Sequence, residues 1–158
     1  MDINQLKKLL HKALIYRLMT KLDGFARDAK IPHSRLSVET GRSRNWFNEA
    51  YNNNEDIKIS SLTRVLGAIN RVHQIHDYKI SDLFDEKVLH ITELLTRLSD
   101  EEDNKTPLFS RYDKELFLDL MSDWRALEAK NKLNITEQES LKVLRELVLS
   151  GENKECQA

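Results

Sequence analysis

The sequence predicts an all-α fold, and three observations predict it. Turn formers are scarce: four glycines and two prolines among 158 residues leave little for the tight turns of a β protein. Apolar residues recur at helical spacing over most of the chain, not in strict alternation. Short polar runs with Gly, Pro, Ser or Asn separate these stretches, as helix starts and stops require. At 40% hydrophobic and 32% charged residues, a chain of this length can bury a globular core, as one domain or as a small domain with an extension.

The first helix is marked by Ile3, Leu6, Leu10, Ala13, Leu14, Leu18, Leu22 and Phe25, with a kink or cap expected near Asp23-Gly24. Leu9, Ile15 and Met19 widen its stripe beyond what one small neighbour covers. That stripe either packs along the C-terminal helices of its own chain or forms part of a dimer surface. Pro32 then suits the first turn of a short helix, His33 to Thr40, because its φ is preset and its missing N–H would be unpaired there anyway. Gly41 falls where the chain must turn, with a positive φ expected. Ser43 stands where a cap for the next helix, 43–51, is needed. In that helix Phe47 and Ala50 point inward at i, i+3, while Arg44, Asn45, Trp46 and Asn48 lie mostly on the other side.

Tyr51 to Lys58 is a polar, Asn-rich loop suited to left-handed turns. Ser60 or Ser61 is expected to cap a helix with the stripe Leu62, Val65, Leu66, Ile69 and Val72. His73 and His76 follow at i, i+3, but with no Cys or carboxylate cluster at ligand spacing beside them, so no metal is expected. Val88, Ile91, Leu94, Leu95 and Leu98 mark a further helix. The four consecutive acids in Ser99 to Thr106 read as a solvated loop, and Pro107 as the opening of an aromatic-rich helix through Leu127. Thr136 with Glu139 reads as a capping box for a last helix that buries Leu141, Leu144, Leu147 and Val148. Gly151 is expected to stop that helix and residues 152–158 to fray.

Charge is uneven. Residues 1–80 hold 14 Lys+Arg and 8 Asp+Glu, a net of +6; residues 81–158 hold 11 and 18, a net of −7. A basic front half suits phosphate, and an acidic back half would be kept from it. The single Cys156 rules out a disulfide within the chain and fits a reducing, cytoplasmic setting. No apolar run approaches the ~18 residues of a membrane span, and no leader pattern opens the chain. There is no Gly-rich phosphate loop, Gly-x-Ser-x-Gly, Cys-x-x-Cys or His-Glu-x-x-His, so neither an enzyme nor a cofactor is expected.

One stretch carries a resemblance. Leu36 to Gly41, Ser43, Phe47, the polar run Asn52 to Asp56, the apolar run Ser60 to Ile69 and the tail Ile80-Ser81-Asp82-Leu83-Phe84 follow one another in a known order. Over about residues 31–84, a third of the chain, this resembles the Xre/Cro/C1-type helix-turn-helix of bacterial and phage repressors. His33 stands where that family usually has a Gln that commonly touches phosphate, Trp46 where a Thr is typical, and the connector Arg71 to Lys79 is longer than usual.

The resemblance implies a lambda-repressor-like helix-turn-helix domain over 1–85, a helical oligomerisation or partner-binding region over 86–150, and a tail over 151–158. It implies a sequence-specific transcription regulator, a repressor, that binds double-stranded DNA as a homodimer through the helix 43–51. Arg44, Asn45, Trp46 and Asn48 are then the base-contacting residues. Arg44 pairs with guanine or with phosphate, the amides pair with adenine, and Trp46 either meets a thymine methyl or the sugar-phosphate edge, or packs into the core. Arg35, Arg42, Ser43, Asn53 and Lys58 are the expected phosphate contacts. The alternative keeps this scaffold but places activity in the acidic helices 86–150, as a protein-interaction factor such as a phage anti-repressor, an antitoxin or an inhibitor of a host defence complex.

Overall fold

The computed structural model describes residues 2–99 and 109–155, with backbone alone for 151–155. Every regular element among them is helical: α1 (Ile3–Asp28), α2 (His33–Glu39), α3 (Trp46–Asn52), α4 (Ile59–His73), a 3₁₀ helix (Ile80–Leu83), α5 (Glu86–Ser99), α6 (Arg111–Ala129) and α7 (Ile135–Glu155). The all-α expectation holds. No described helix is long and apolar enough to cross a membrane. Pro107, the acidic run after Ser99 and Cys156 lie outside the described residues.

The chain divides into two compact units, Ile15–Val88 and Met1–Leu14 with Leu89–Ala158. Residues 1–14, expected to belong with the helix-turn-helix stretch, group with the C-terminal helices. Side chains explain that grouping. The indole N–H of Trp124, a fully buried residue, donates to the Leu9 carbonyl at 2.8 Å. Lys12 Nζ donates to Glu137 Oε1 at 2.6 Å and to the Lys132 carbonyl at 2.7 Å. This division also shrinks the charge contrast. Ile15–Val88 carries 12 Lys+Arg and 10 Asp+Glu, net +2, and the other unit 13 and 16, net −3, because Lys7, Lys8, Lys12 and Asp2 leave the front half while Asp82, Asp85, Glu86 and Lys87 join it.

In Ile15–Val88 the core forms around Leu22, Leu36, Phe47, Ile69 and Leu83, all essentially without solvent contact. α1 passes through Gly24 without a break, since an internal glycine weakens a helix by only about 1 kcal/mol. After Asp28 it is closed by Lys30 at φ 57° and an Ile31 N–H to Ala26 carbonyl bond of 2.9 Å, a left-handed C-terminus without glycine. α4 buries the expected stripe from Leu62 to Ile69 but begins at Ile59, two or three residues before the start that a cap at Ser60 or Ser61 would give. Lys58 occupies the cap position with no side-chain bond, and Ser61 is buried inside the helix. After α4, Asn70 pins the connector: its amide donates to the Tyr78 carbonyl and accepts from the Tyr78 N–H, both at 2.8 Å. Tyr78 also stacks on Phe25 at 4.1 Å.

In the second unit, α5 buries Val88's successors Ile91, Leu94 and Leu98, and α6 buries Leu116, Phe117, Leu120, Trp124 and Leu127. α6 starts from a capping box: Asp113 N–H donates to Ser110 Oγ, and Ser110 N–H donates to the Asp113 carboxylate, each at 3.1 Å. α7 starts from a second box, but from Asn134 and Glu137 rather than Thr136 and Glu139. The spacing is the expected one, displaced by two residues, because Glu137 is drawn inward to Lys12 and is buried while Glu139 is exposed. Gly151 does not stop α7, which continues to Glu155.

Candidate functional site

Most of the exposed polar residues that the sequence singles out lie on α2, in the turn after it and on α3, while Lys58 lies at the start of α4. Gly41 takes φ 77°, the left-handed conformation that glycine adopts most cheaply. Its N–H donates to the Val38 carbonyl at 2.9 Å, and Arg42 N–H to the Ser37 carbonyl at 3.0 Å, closing the end of α2.

Ser43 is not the cap of α3. The helix starts at Trp46, not at 43, and Asn45 occupies the cap position in a helical conformation with no side-chain cap bond. The orphan N–H of Phe47 is taken instead by Ser37 Oγ, from within α2, at 2.9 Å. Ser37 is fully buried and its hydroxyl donates to the His33 carbonyl at 2.8 Å. One hydroxyl therefore ties α2 to the first turn of α3. The physical reason is packing: Phe47 and Leu36 share the core, and this brings the Phe47 N–H against α2, where it must find a partner. Arg44 and Asn45 consequently lie in the turn before α3 instead of on its outer face, and both are exposed.

The other expected contacts divide by how far the fold already uses them. Arg35, Ser43 and Lys58 are exposed. Asn53 is exposed at the C-cap of α3, and the expected left-handed Asn turn falls on Asn54, with φ 52°. Arg42 is exposed yet engaged: its guanidinium donates to Ser61 Oγ at 2.9 Å and lies over the Trp46 ring at 4.7 Å. Trp46 is half-buried against the core beside Phe47, so it both packs and keeps an outer edge. Asn48 is exposed, and its amide oxygen lies 3.1 Å from His33 Nδ1.

The pairing of His33 with Asp23 was not expected: His33 stood out only for its place in the resembled pattern, and Asp23 only as a kink or cap position. His33 Nε2 meets Asp23 Oδ1 at 2.5 Å, and Arg27 Nη2 donates to the other oxygen of the same carboxylate at 2.5 Å. Asp23 is buried and His33 about one quarter exposed. The ring stands edge-on to Phe47 at 4.9 Å and to Tyr51 at 5.6 Å. Burial, and next the negative charge of Asp23, push the Tyr51 phenol above its usual pKa. One signal was legible: an acid inside the stripe Leu22, Phe25, Ala26 with Arg27 four residues on marks a carboxylate that must be paired.

Chemically, the surface offers amides, a guanidinium and an indole edge beside a buried core, a set that can donate and accept hydrogen bonds. Comparison with protein-family models, with curated proteins and with solved structures finds no match to this chain.

Proposed function

We propose that Ile15–Val88 is a lambda-repressor-like helix-turn-helix module of the Xre/Cro/C1 type, and that the protein is a sequence-specific DNA-binding transcriptional regulator, a repressor. The observation that carries this reading is the α2–Gly41–α3 arrangement. Phe47 and Ala50 anchor α3 from its buried side, Ser37 clips its first turn, and Arg44, Asn45 and Asn48 stay exposed at and just before its start. In this reading Arg44 pairs with guanine or phosphate, Asn45 and Asn48 read base edges, and Trp46 contributes its exposed edge. Arg35, Ser43, Asn53 and Lys58 contact phosphate. Arg42 has a double role, holding Trp46 and Ser61 while its charge faces the backbone. A homodimer belongs to the reading, because one such element spans only a few base pairs.

The test is binding of the full chain to a randomised DNA pool and to the DNA around its own gene, titrated in salt against scrambled competitor. Tight, competitor-resistant binding that is lost in Arg44→Ala/Asn45→Ala is the expected result. Lys58→Ala should weaken all sequences alike and lower the salt slope by about 1. Weak, salt-erased binding that the double variant leaves unchanged would overturn the reading. Sedimentation of the complex reads the dimer directly, and one chain per site would remove it.

A further inference from the structure

We propose that His33 is a positioning residue for Asn48, and that its protonation decides which end of the Asn48 amide faces outward. The proposal rests on the DNA-reading function above and adds a proton-linked base preference to it.

The chemistry starts at Asp23. Its carboxylate is buried, held by Arg27, and meets His33 at Nε2. A carboxylate can only accept, so Nε2 carries a hydrogen in both charge states of the ring. Nδ1 is then the nitrogen that gains or loses the proton, and Nδ1 is the one facing Asn48. In the imidazolium, Nδ1–H donates and must meet the amide oxygen; the Asn48 amide lies 3.1 Å from Nδ1. The amide nitrogen then turns outward. In the neutral ring, Nδ1 can only accept, so Asn48 must offer its N–H and turn its oxygen outward. The two arrangements differ by a half-turn of one exposed amide of nearly equal ends, so neither helix has to move.

The groups facing His33 leave it as the variable one. α1 presents Asp23 and Arg27, α3 presents Tyr51 and the uncharged Phe47, and Tyr16 lies close enough to act on Tyr51. Histidine is the residue type among them that turns from a donor at both ring nitrogens to a donor and an acceptor on losing one proton. In a major groove, an outward NH₂ seeks acceptors such as guanine N7/O6 or thymine O4, and an outward oxygen seeks the amino groups of adenine or cytosine. Rising pH should therefore move the preference at one base position from acceptor edges to donor edges. Extra positive charge at low pH would by contrast tighten every sequence equally.

The test has two arms on the full chain. In the first, the His33 ring and the Asn48 side-chain NH₂ are followed by NMR from about pH 5 to 8 without DNA. The Asn48 signals should shift with the same midpoint as the ring, and the shift should vanish in His33→Gln, whose amide can still donate to Asp23. An Asn48 amide that stays flat while His33 titrates, or that moves equally in His33→Gln, overturns the proposal. In the second arm, DNA selected from a random pool at about pH 5.5 and about pH 8 should differ at one position by about fivefold in preference, and this difference should disappear in His33→Gln and in Asn48→Ala. The same motif at both pH values overturns the proton-linked preference. If the pool yields no motif at either pH, the DNA-reading function fails, while the first arm still decides the coupling.

Discussion

The first turns of α3 and α6 have the same need and meet it in opposite ways. Both carry an orphan N–H that must be satisfied. In α6 the partner is local: Ser110 and Asp113 exchange bonds three residues apart. In α3 the partner is Ser37, ten residues upstream on another helix. The first device is visible as a spacing. The second exists only once α2 and α3 are packed. A helix capped from its neighbour keeps its own start free of obligations, and at α3 that leaves Arg44 and Asn45 exposed. At α6 the capping acid is drawn into further work, because Asp113 also accepts from Arg97 at 2.8 Å and 3.1 Å and lies 3.0 Å from His90.

The largest effect is expected where the local cap carries most partners. Asp113→Ala should cost about 3–5 kcal/mol in chemical denaturation, since Arg97, His90 and the Ser110 N–H lose one acceptor together. A loss under about 1 kcal/mol would mean that the box acts alone. Burial pushes the Asp113 carboxyl up, but the bonds from Arg97, His90 and the Ser110 N–H outweigh it and hold it at about 2 against 3.8. A lowered carboxylate stabilises the fold above its unfolded value, so about 2 kcal/mol is present at neutral pH and is lost as pH falls from about 4 to about 2. Asp113→Asn should lack that acid limb in a stability–pH profile.

Next comes the borrowed cap. Ser37→Ala leaves the Phe47 N–H buried and unpaired and should cost about 2 kcal/mol. Ser43→Ala should stay within about 0.5 kcal/mol. The reverse order in thermal or urea unfolding would return the cap to Ser43. The turn between the helices should matter slightly less. Gly41→Ala should cost about 1–2 kcal/mol, a pure backbone effect, because nothing lies within 4 Å of an added Cβ at φ 77°. Gly41→Asn should cost less, since Asn tolerates that region. The smallest difference tests the second box: Asn134→Ala should lose about 1 kcal/mol and Thr136→Ala close to none.

Much of the candidate site was legible. Gly41 as the turn, Phe47 and Ala50 as the buried side of α3, and Asn as the residue for the left-handed exit all follow from local rules. The misplaced caps share one cause. Ser43, Ser60 or Ser61 and Thr136 each satisfy a one-dimensional rule, yet the observed starts use Ser37, an unbonded Lys58 and Asn134. Where several hydroxyls or amides stand near a helix start, packing chooses among them.

By itself, the sequence determined the class of fold, the helices, and the faces they bury, because the spacing of Leu62, Val65, Leu66 and Ile69 is a local property of 3.6 residues per turn. Tertiary structure alone decided that residues 1–14 group with the C-terminal helices, that α2 caps α3, and that Asp23, His33 and Asn48 form one chain of hydrogen bonds. Those partners stand 10, 15 and more than 100 residues apart. A hydrogen bond needs atoms within about 3 Å, and only packing sets that distance between residues so far apart in the chain.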